Sequence, residues 1–109
     1  MPTLRQMMAD PAAFLFGFEL VSTRGTLEER KAVATRELAH ALTSNTSVHW
    51  ISITDNAGGN PMLAPLALGK PLLHASKEVL IHLSCKDFNR NGLESQAWQL
   101  ASEGFRNIL

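Results

Sequence analysis

The sequence predicts an α/β fold built on a parallel sheet, and three observations lead to that prediction. Short apolar segments alternate along the chain with segments in which apolar residues recur at helical spacing. The connections between these segments are short, which favours strand–helix–strand units with right-handed crossovers. The third apolar segment, residues 79–85, is almost continuously apolar, which is typical of a strand buried on both faces of a parallel sheet.

Composition and charge are those of an ordinary globular domain. The 109 residues are 45% apolar and 18% charged, so the chain is too apolar to be disordered and long enough for one domain. Ten basic residues balance ten acidic ones, so we expect no nucleic-acid partner. The apolar run 12–21 is short and interrupted by Glu19, which argues against a membrane span or a signal peptide. The single cysteine, Cys85, cannot form an internal disulfide, and we expect a cytoplasmic protein without a metal site.

Three complete strands and the start of a fourth are predicted. Residues 14–21 and 48–54 are rich in aromatic and β-branched side chains, and residues typical of turns follow each of them. Residues 79–85 form the third strand, and residues 105–109 begin the fourth. The loop after the second strand, 55–61, is rich in Gly and Asn, so it can adopt unusual backbone angles and approach a ligand closely.

A helix is predicted in each gap between strands. The first begins with a capping box formed by Thr26 and Glu29, and it stops at residues 43–45. The residues expected to face the core along this helix are Ala34, Leu38, Ala41 and Leu42. The second helix covers part of residues 63–75, with Pro65 in its first turn.

The last helix is predicted to begin at Asn91, which caps it together with Glu94, and to end at Gly104. The residues of its expected apolar stripe are Leu93, Ala97, Leu100 and Ala101. On the same helix, Trp98 is expected to pack within the protein rather than to stack on a cofactor.

Two architectures contain such a parallel sheet, an open doubly wound sheet and a (βα) barrel. A dinucleotide-binding open sheet places G-x-G-x-x-G after its first strand, but residues 21–26 contain one glycine. Polar side chains lie instead near the carboxyl end of every complete strand: Glu19, Thr54, Asp55, Asn56, His82, Ser84, Lys86 and Asp87. This pattern favours a barrel with its site at the carboxyl ends of the strands. The sequence therefore predicts a TIM-barrel fragment, a half-barrel of about the first four parallel strands.

Four segments resemble, in order and spacing, the amino-terminal half of the methylenetetrahydrofolate reductases. They are residues 18–20 (Phe-Glu-Leu), 51–61 (Ile-Ser-Ile-Thr-Asp-Asn-Ala-Gly-Gly-Asn-Pro), 81–90 (Ile-His-Leu-Ser-Cys-Lys-Asp-Phe-Asn-Arg) and 104–109 (Gly-Phe-Arg-Asn-Ile-Leu). The resemblance extends from Phe16 to the end of the chain. It implies a flavoprotein in which NAD(P)H reduces FAD and the flavin reduces 5,10-methylenetetrahydrofolate to 5-methyltetrahydrofolate. Residues 1–109 are then a single partial barrel domain, in which residues 1–12 are an amino-terminal extension.

The resemblance implies roles for four residues. Glu19 matches the general acid that protonates the folate nitrogen, and its neighbours Phe18 and Leu20 are expected to disfavour its ionised form by desolvation. Thr54 and His82 match positions that line the flavin. Asp55 belongs to a variant of the cofactor loop in which an acid and glycines replace ring-contacting residues. Its contact with flavin, with folate or with its own backbone stays open.

Two departures from the family pattern leave three functions open. Residues 20–23 replace an aromatic–proline segment, and strands that bind the adenosine part of FAD and the folate pterin lie outside the 109 residues. One hypothesis is a flavin-dependent reductase that forms with a complementing chain, takes folate as its substrate, and binds FAD weakly or not at all by itself. The second is a non-catalytic half-barrel that self-associates or complements a partner chain. The third is a folate- or pterin-binding barrel that transfers methyl groups without flavin.

Overall fold

The computed structural model describes residues 1–109 and contains one four-stranded sheet, in which all strands are parallel and follow the order β1-β2-β3-β4. The strands are β1 (Gly17–Leu20), β2 (Trp50–Ile53), β3 (Glu78–Ile81) and β4 (Asn107–Ile108). Each is shorter than the sequence predicts. The alternation of strands and helices around a parallel sheet is confirmed.

Four helices accompany the sheet: α1 (Leu4–Ala9), α2 (Val33–Ser44), α3 (Pro65–His74) and α4 (Arg90–Ser102). Short 3-10 turns lie at Arg30–Ala32, Ala57–Gly59 and Cys85–Asp87. None of the helices combines the length and the apolar character needed to cross a membrane.

Helix α1 lies in the segment that sequence analysis treats as an extension. Thr3 and Gln6 form a capping box, in which the Gln6 N–H donates to Thr3 Oγ1 at 3.2 Å and the Thr3 N–H donates to Gln6 Oε1 at 2.9 Å. The Leu4 N–H donates to Glu78 Oε2 at 2.9 Å, and Leu4 is buried. The helix is therefore attached to the first residue of β3, and the Thr-x-x-Gln spacing was its sequence signal.

The predicted start of α2 is wrong by six residues. Only half of the capping box forms, because the Thr26 N–H donates to Glu29 Oε1 at 3.2 Å while the Glu29 N–H bonds the Thr26 carbonyl instead of the hydroxyl. The hydrogen bond from the Thr26 N–H to the Glu29 carboxylate lowers the pKa of Glu29, and Lys31 lowers it further. A 3-10 turn follows before α2 begins at Val33.

The buried stripe of α2 also differs from the predicted one. Ala39 and Leu42 are buried, whereas Ala34, Leu38 and Ala41 are exposed. The helix carries apolar residues on more than one face, and its packing against α3 selects which of them the core receives.

The ends of α3 and α4 fit their predictions more closely, but of the apolar stripe predicted for α4 only Leu100 is buried and Leu93 half-buried, whereas Ala97 and Ala101 are exposed. Pro65 occupies the first turn of α3, and α4 is capped by Asn89, whose Oδ1 accepts the Gly92 N–H at 2.8 Å, two residues before the predicted cap. Gly104, at φ 95°, ends α4 as predicted. The Phe105 N–H donates to the Leu100 carbonyl at 2.9 Å, which completes a Schellman motif.

The core lies between one face of the sheet and the helices. Its strand residues are Leu20, Ile51, Ile53, Val79 and Ile81, and its other members are Ala39, Leu42, Leu68, Leu72, Leu100 and Phe105. In β3 only Val79 and Ile81 are buried, and Glu78 and Leu80 are half-buried. The prediction that this strand is buried on both faces is therefore wrong, because α2, α3 and α4 all cover the same face and α1 covers only the amino-terminal end of the other.

The opposite face of the sheet, here called the open face, carries the alternate residues of the strands: Gly17, Glu19, Trp50, Ser52, Glu78, Leu80 and Asn107. Its amino-terminal end is covered in two ways. The Trp50 ring lies over Gly17, where a Cβ would stand 2.1 Å from a ring carbon. Glu78 Oε2 accepts hydrogen bonds from both the Leu4 N–H and Asn107 Nδ2. Toward the carboxyl end of this face Ser52 is buried and Glu19 is exposed.

Candidate functional site at the carboxyl ends of the strands

Three of the four predicted site residues lie at or just after the carboxyl ends of three neighbouring strands. Glu19 pairs with Ser52 in the β1–β2 register, and Thr54 lies two residues beyond Ser52. The His82 N–H donates to the Ile53 carbonyl at 3.1 Å, which places His82 beside Thr54 on the neighbouring strand. Adjacent strands are about 4.8 Å apart, so the backbones of these three residues lie close together at one edge of the sheet.

The environment of Glu19 differs from the expected one. Phe18 and Leu20 pack against the core on the helix side, while Glu19 is exposed on the open face. Successive side chains of a strand point to opposite faces, so sequence neighbours do not surround one another. The expectation that Phe18 and Leu20 desolvate Glu19 is therefore wrong, and its carboxylate is accessible.

Thr54 connects the ends of the first two strands. It is buried, its backbone N–H donates to the Leu20 carbonyl at 3.2 Å, and its Oγ1 accepts the Ser22 N–H at 3.1 Å. Because the hydroxyl oxygen is the acceptor in that bond, its proton is free to be donated to another group.

The segment after β1, which departs from the family pattern, is anchored by residues that sequence analysis did not select. Ser22 and Thr23 are buried. Ser22 Oγ donates to the Leu63 carbonyl at 2.5 Å, and the Leu63 N–H donates to the Thr23 carbonyl at 2.6 Å. These contacts join residues about forty positions apart, and no local pattern in the sequence predicts them.

Asp55 binds the backbone of the next loop. Its Oδ2 accepts the Ser84 N–H at 2.7 Å, and Ser84 Oγ donates to the Asp55 carbonyl at 2.8 Å. Sequence analysis left flavin, folate and backbone as possible contacts of Asp55, and the structure shows a contact with the protein backbone. Asp55 thereby joins the loop after β2 to the loop after β3.

A second connection between the same loops runs through Asn56. Its backbone is left-handed, at φ 47°, its Oδ1 accepts the Met62 N–H at 2.9 Å, and its Nδ2 donates to Asp87 Oδ2 at 3.0 Å. Lys86 donates to the same oxygen at 2.8 Å, and Lys86 and then Asn56 lower the pKa of Asp87. Gly58 and Gly59 also have positive φ, as the composition of this loop predicted.

The two joined loops enclose a small cavity of about 50 Å³. Asp55, His82 and Gln96 contribute polar groups to its wall, and the rest is mainly apolar, including Phe88 and Leu100. This volume holds one or two water molecules, whereas pockets for cofactor-sized ligands measure about 300–1,000 Å³. This cavity is therefore too small to hold a cofactor.

Other candidate groups are dispersed. Cys85 is exposed and free, and no three His, Cys, Asp or Glu side chains converge as metal ligands would. Comparisons with protein-family models, with curated proteins and with solved structures each give no significant match. The functional assignment therefore depends on the site and on the sequence resemblance.

Replacing Asp55 by Ala should destabilise the chain by about 1–3 kcal/mol, because the Ser84 N–H loses its charged acceptor. Urea unfolding measures this change. Asp55→Asn, which keeps an acceptor oxygen, should lose less, and Glu37→Ala on the exposed surface of α2 is the matched control. Equal effects of Asp55→Ala and Glu37→Ala would contradict a structural role for the carboxylate.

Proposed function

We propose that this chain is the amino-terminal half of a methylenetetrahydrofolate reductase-like (βα) barrel. The fold part of the proposal is supported by the order of the strands. Each strand pairs with its neighbour in sequence, and the helices cover one face of the sheet. An open doubly wound sheet reverses its strand order and carries helices on both faces, whereas a barrel does neither.

The observation that carries the functional part is the shared position of Glu19, Thr54 and His82. They lie at or just after the carboxyl ends of three neighbouring strands, although they are far apart in sequence. Active sites of parallel barrels are built at that end. These are also the residues that match the acid and the flavin-lining positions of the reductase family.

The donor groups fit one edge of a flavin ring. The Thr54 hydroxyl retains a proton to donate, and the half-buried His82 follows the end of the neighbouring strand. When bound, FAD would supply the hydride, which it takes from NAD(P)H. Thr54 and His82 would orient the ring on the open face, and Asp55 would act indirectly by fixing the loop that follows His82.

Glu19 would act on the folate. Its carboxylic acid donates a proton to the folate nitrogen, the carbon–nitrogen bond of the methylene bridge opens, and the resulting iminium carbon can accept hydride.

A non-catalytic half-barrel that associates through its edges is the second candidate. The outer edges of β1 and β4 are unpaired, and apolar side chains are exposed beside them. This candidate needs no flavin, so flavin binding discriminates between the two proposals.

Titration of the isolated chain with FAD, followed by flavin fluorescence, should show weak binding or none, because the chain offers one edge of a pocket that must enclose the cofactor. Tight stoichiometric binding would contradict the proposal that this chain carries only half of the cofactor site. Tetrahydrofolate is titrated in parallel, and a rise in melting temperature with folate but not with FAD would favour the methyl-transfer alternative.

A second experiment supplies strands five to eight of the proposed barrel from another chain. Co-expression with a chain that supplies strands five to eight of a flavin-dependent reductase should give a yellow complex. His82→Ala should remove the colour, and His74→Ala, on the exposed end of α3, should retain it. A soluble but colourless complex would refute the flavin proposal.

A further inference from the structure

The chain exposes more surface than a folded monomer of its size. A monomer of 11.9 kDa exposes about 5,950 Å² by the usual scaling with mass. The chain exposes 6903 Å², which is an excess of about 950 Å². A standard protein–protein interface removes about 800 Å² from each partner, so the excess equals what one partner would cover.

The exposed apolar side chains are concentrated at the two ends of the sheet. Large apolar side chains that are exposed on or beside β1 and α2 are Phe14, Phe16, Val21 and Leu38. Those on or beside β4 and α4 are Trp98, at 69% exposed, Ile108 and Leu109. The central elements β2, α3 and β3 expose none, and Met1 and Met8 belong to the amino-terminal segment. Trp98, which was expected to pack within the chain, therefore lies at an uncovered end.

The backbone at the β4 edge is also without a partner. The Leu109 N–H donates to the Ile81 carbonyl at 2.9 Å, and the Leu109 carbonyl accepts the Leu83 N–H at 2.9 Å. Peptide groups of successive residues in a strand point to opposite sides, so the N–H and carbonyl of Ile108 point outward. The outer edge of β1 is unpaired in the same way, since β1 is the other end of the sheet.

We propose that two copies of this chain associate about a two-fold axis parallel to the strands. In this dimer β4 of each copy pairs in parallel with β1 of the other, and α4 and the partner's α2 lie on the same outer side of the joined sheet. The two sheets then close into an eight-stranded barrel, the number of strands at which such a barrel has a filled interior. This proposal rests on the half-barrel fold proposed above, but it does not depend on a reductase activity.

A second copy fits these edges better than other occupants for two reasons. The single two-fold axis makes both edge contacts at once and leaves no edge free, whereas pairing β1 with β1 or β4 with β4 leaves one edge of each chain exposed. Burying the excess on both copies removes about 1,900 Å², within the standard range of about 1,200–2,000 Å². The chain has a formal charge of zero, so no net repulsion opposes the contact.

Light scattering coupled to gel filtration, from low micromolar to several hundred micromolar, tests this dimer. We expect a discrete dimer. Ile108→Pro removes an outward N–H without breaking a bond to β3, and Trp98→Lys places a charge in the helix layer of the interface. Each should weaken dimerisation at least tenfold, while His74→Lys on α3 should leave it unchanged. A monomer at all concentrations, or a dimer insensitive to both variants, would overturn the proposal.

Cross-linking distinguishes this dimer from other pairings. In a Cys85→Ser background, Val21→Cys and Leu109→Cys together place one thiol beside each edge at the carboxyl end of the sheet. The double variant should give a covalent dimer with a short bis-maleimide, and neither single variant should. Cross-linking of a single variant to itself would show that like edges meet, which contradicts the closed barrel. Thermal unfolding of each variant confirms that it is folded.

Discussion

Glu19→Gln should slow the reduction of methylenetetrahydrofolate by about 10²–10⁴-fold in the complex with restored strands, because Gln cannot donate the proton that opens the methylene bridge. Reduction of the flavin by NAD(P)H needs no such proton and should be nearly unchanged. Stopped-flow absorbance follows the two half-reactions separately and measures both rates.

The matched control for this experiment is Glu37→Gln, which makes the same change on the exposed surface of α2. It should leave both half-reactions at the rates of the unmodified chain. If Glu19→Gln slows the two half-reactions equally, the residue positions the flavin or supports the fold, and its assignment as the acid is wrong.

Phe105→Ala should reduce the free energy of unfolding by about 3–5 kcal/mol, the usual effect of deleting a buried aromatic ring. Phe105 is 3% exposed, and its ring lies against Gly69, where a Cβ would stand 2.9 Å from Cε1. Only 19 of the 109 residues are buried, so few other buried side chains remain to stabilise the fold once this ring is removed. Urea unfolding monitored by circular dichroism measures the change, and we expect the variant to be largely unfolded at moderate urea concentrations.

Met8→Ala provides the comparison for Phe105→Ala, because it also removes a large apolar side chain but from a position that is 60% exposed on α1. Its effect should be within about 0.5 kcal/mol of zero. A Phe105→Ala variant as stable as Met8→Ala would mean that α4 and β4 are not docked on the sheet in solution.

Much of the secondary structure could be predicted because its causes are local. The turn at Gly104 requires a residue that tolerates positive φ, and Gly stands there directly after a helical pattern. Pro65 suits a first helical turn, and the Gly- and Asn-rich loop after β2 adopts the left-handed angles that its composition permits. The same local alternation of strands and helices gave the parallel sheet.

Local reasoning was insufficient where two plausible signals competed. Thr26 and Glu29 have the spacing of a capping box, yet the helix begins at Val33 after a 3-10 turn. Leu38 belongs to a regular apolar stripe, but it is 41% exposed because packing against α3 buries a different stripe of the same helix. Propensity and periodicity permit both outcomes, and the free energy of burial chooses between them.

By itself, the sequence determined the α/β class, the order of the elements, and the polar residues at the strand ends, since these follow from periodicity and from residue types at fixed spacing. Only the tertiary structure decided that one face of the sheet is open, that Glu19 is exposed there, and that Asp55 binds Ser84. These features depend on contacts between residues about thirty or more positions apart, as in the bond of 2.7 Å between Asp55 and the Ser84 N–H. Such contacts form only when parallel strands, joined by helices, bring their carboxyl ends to one edge.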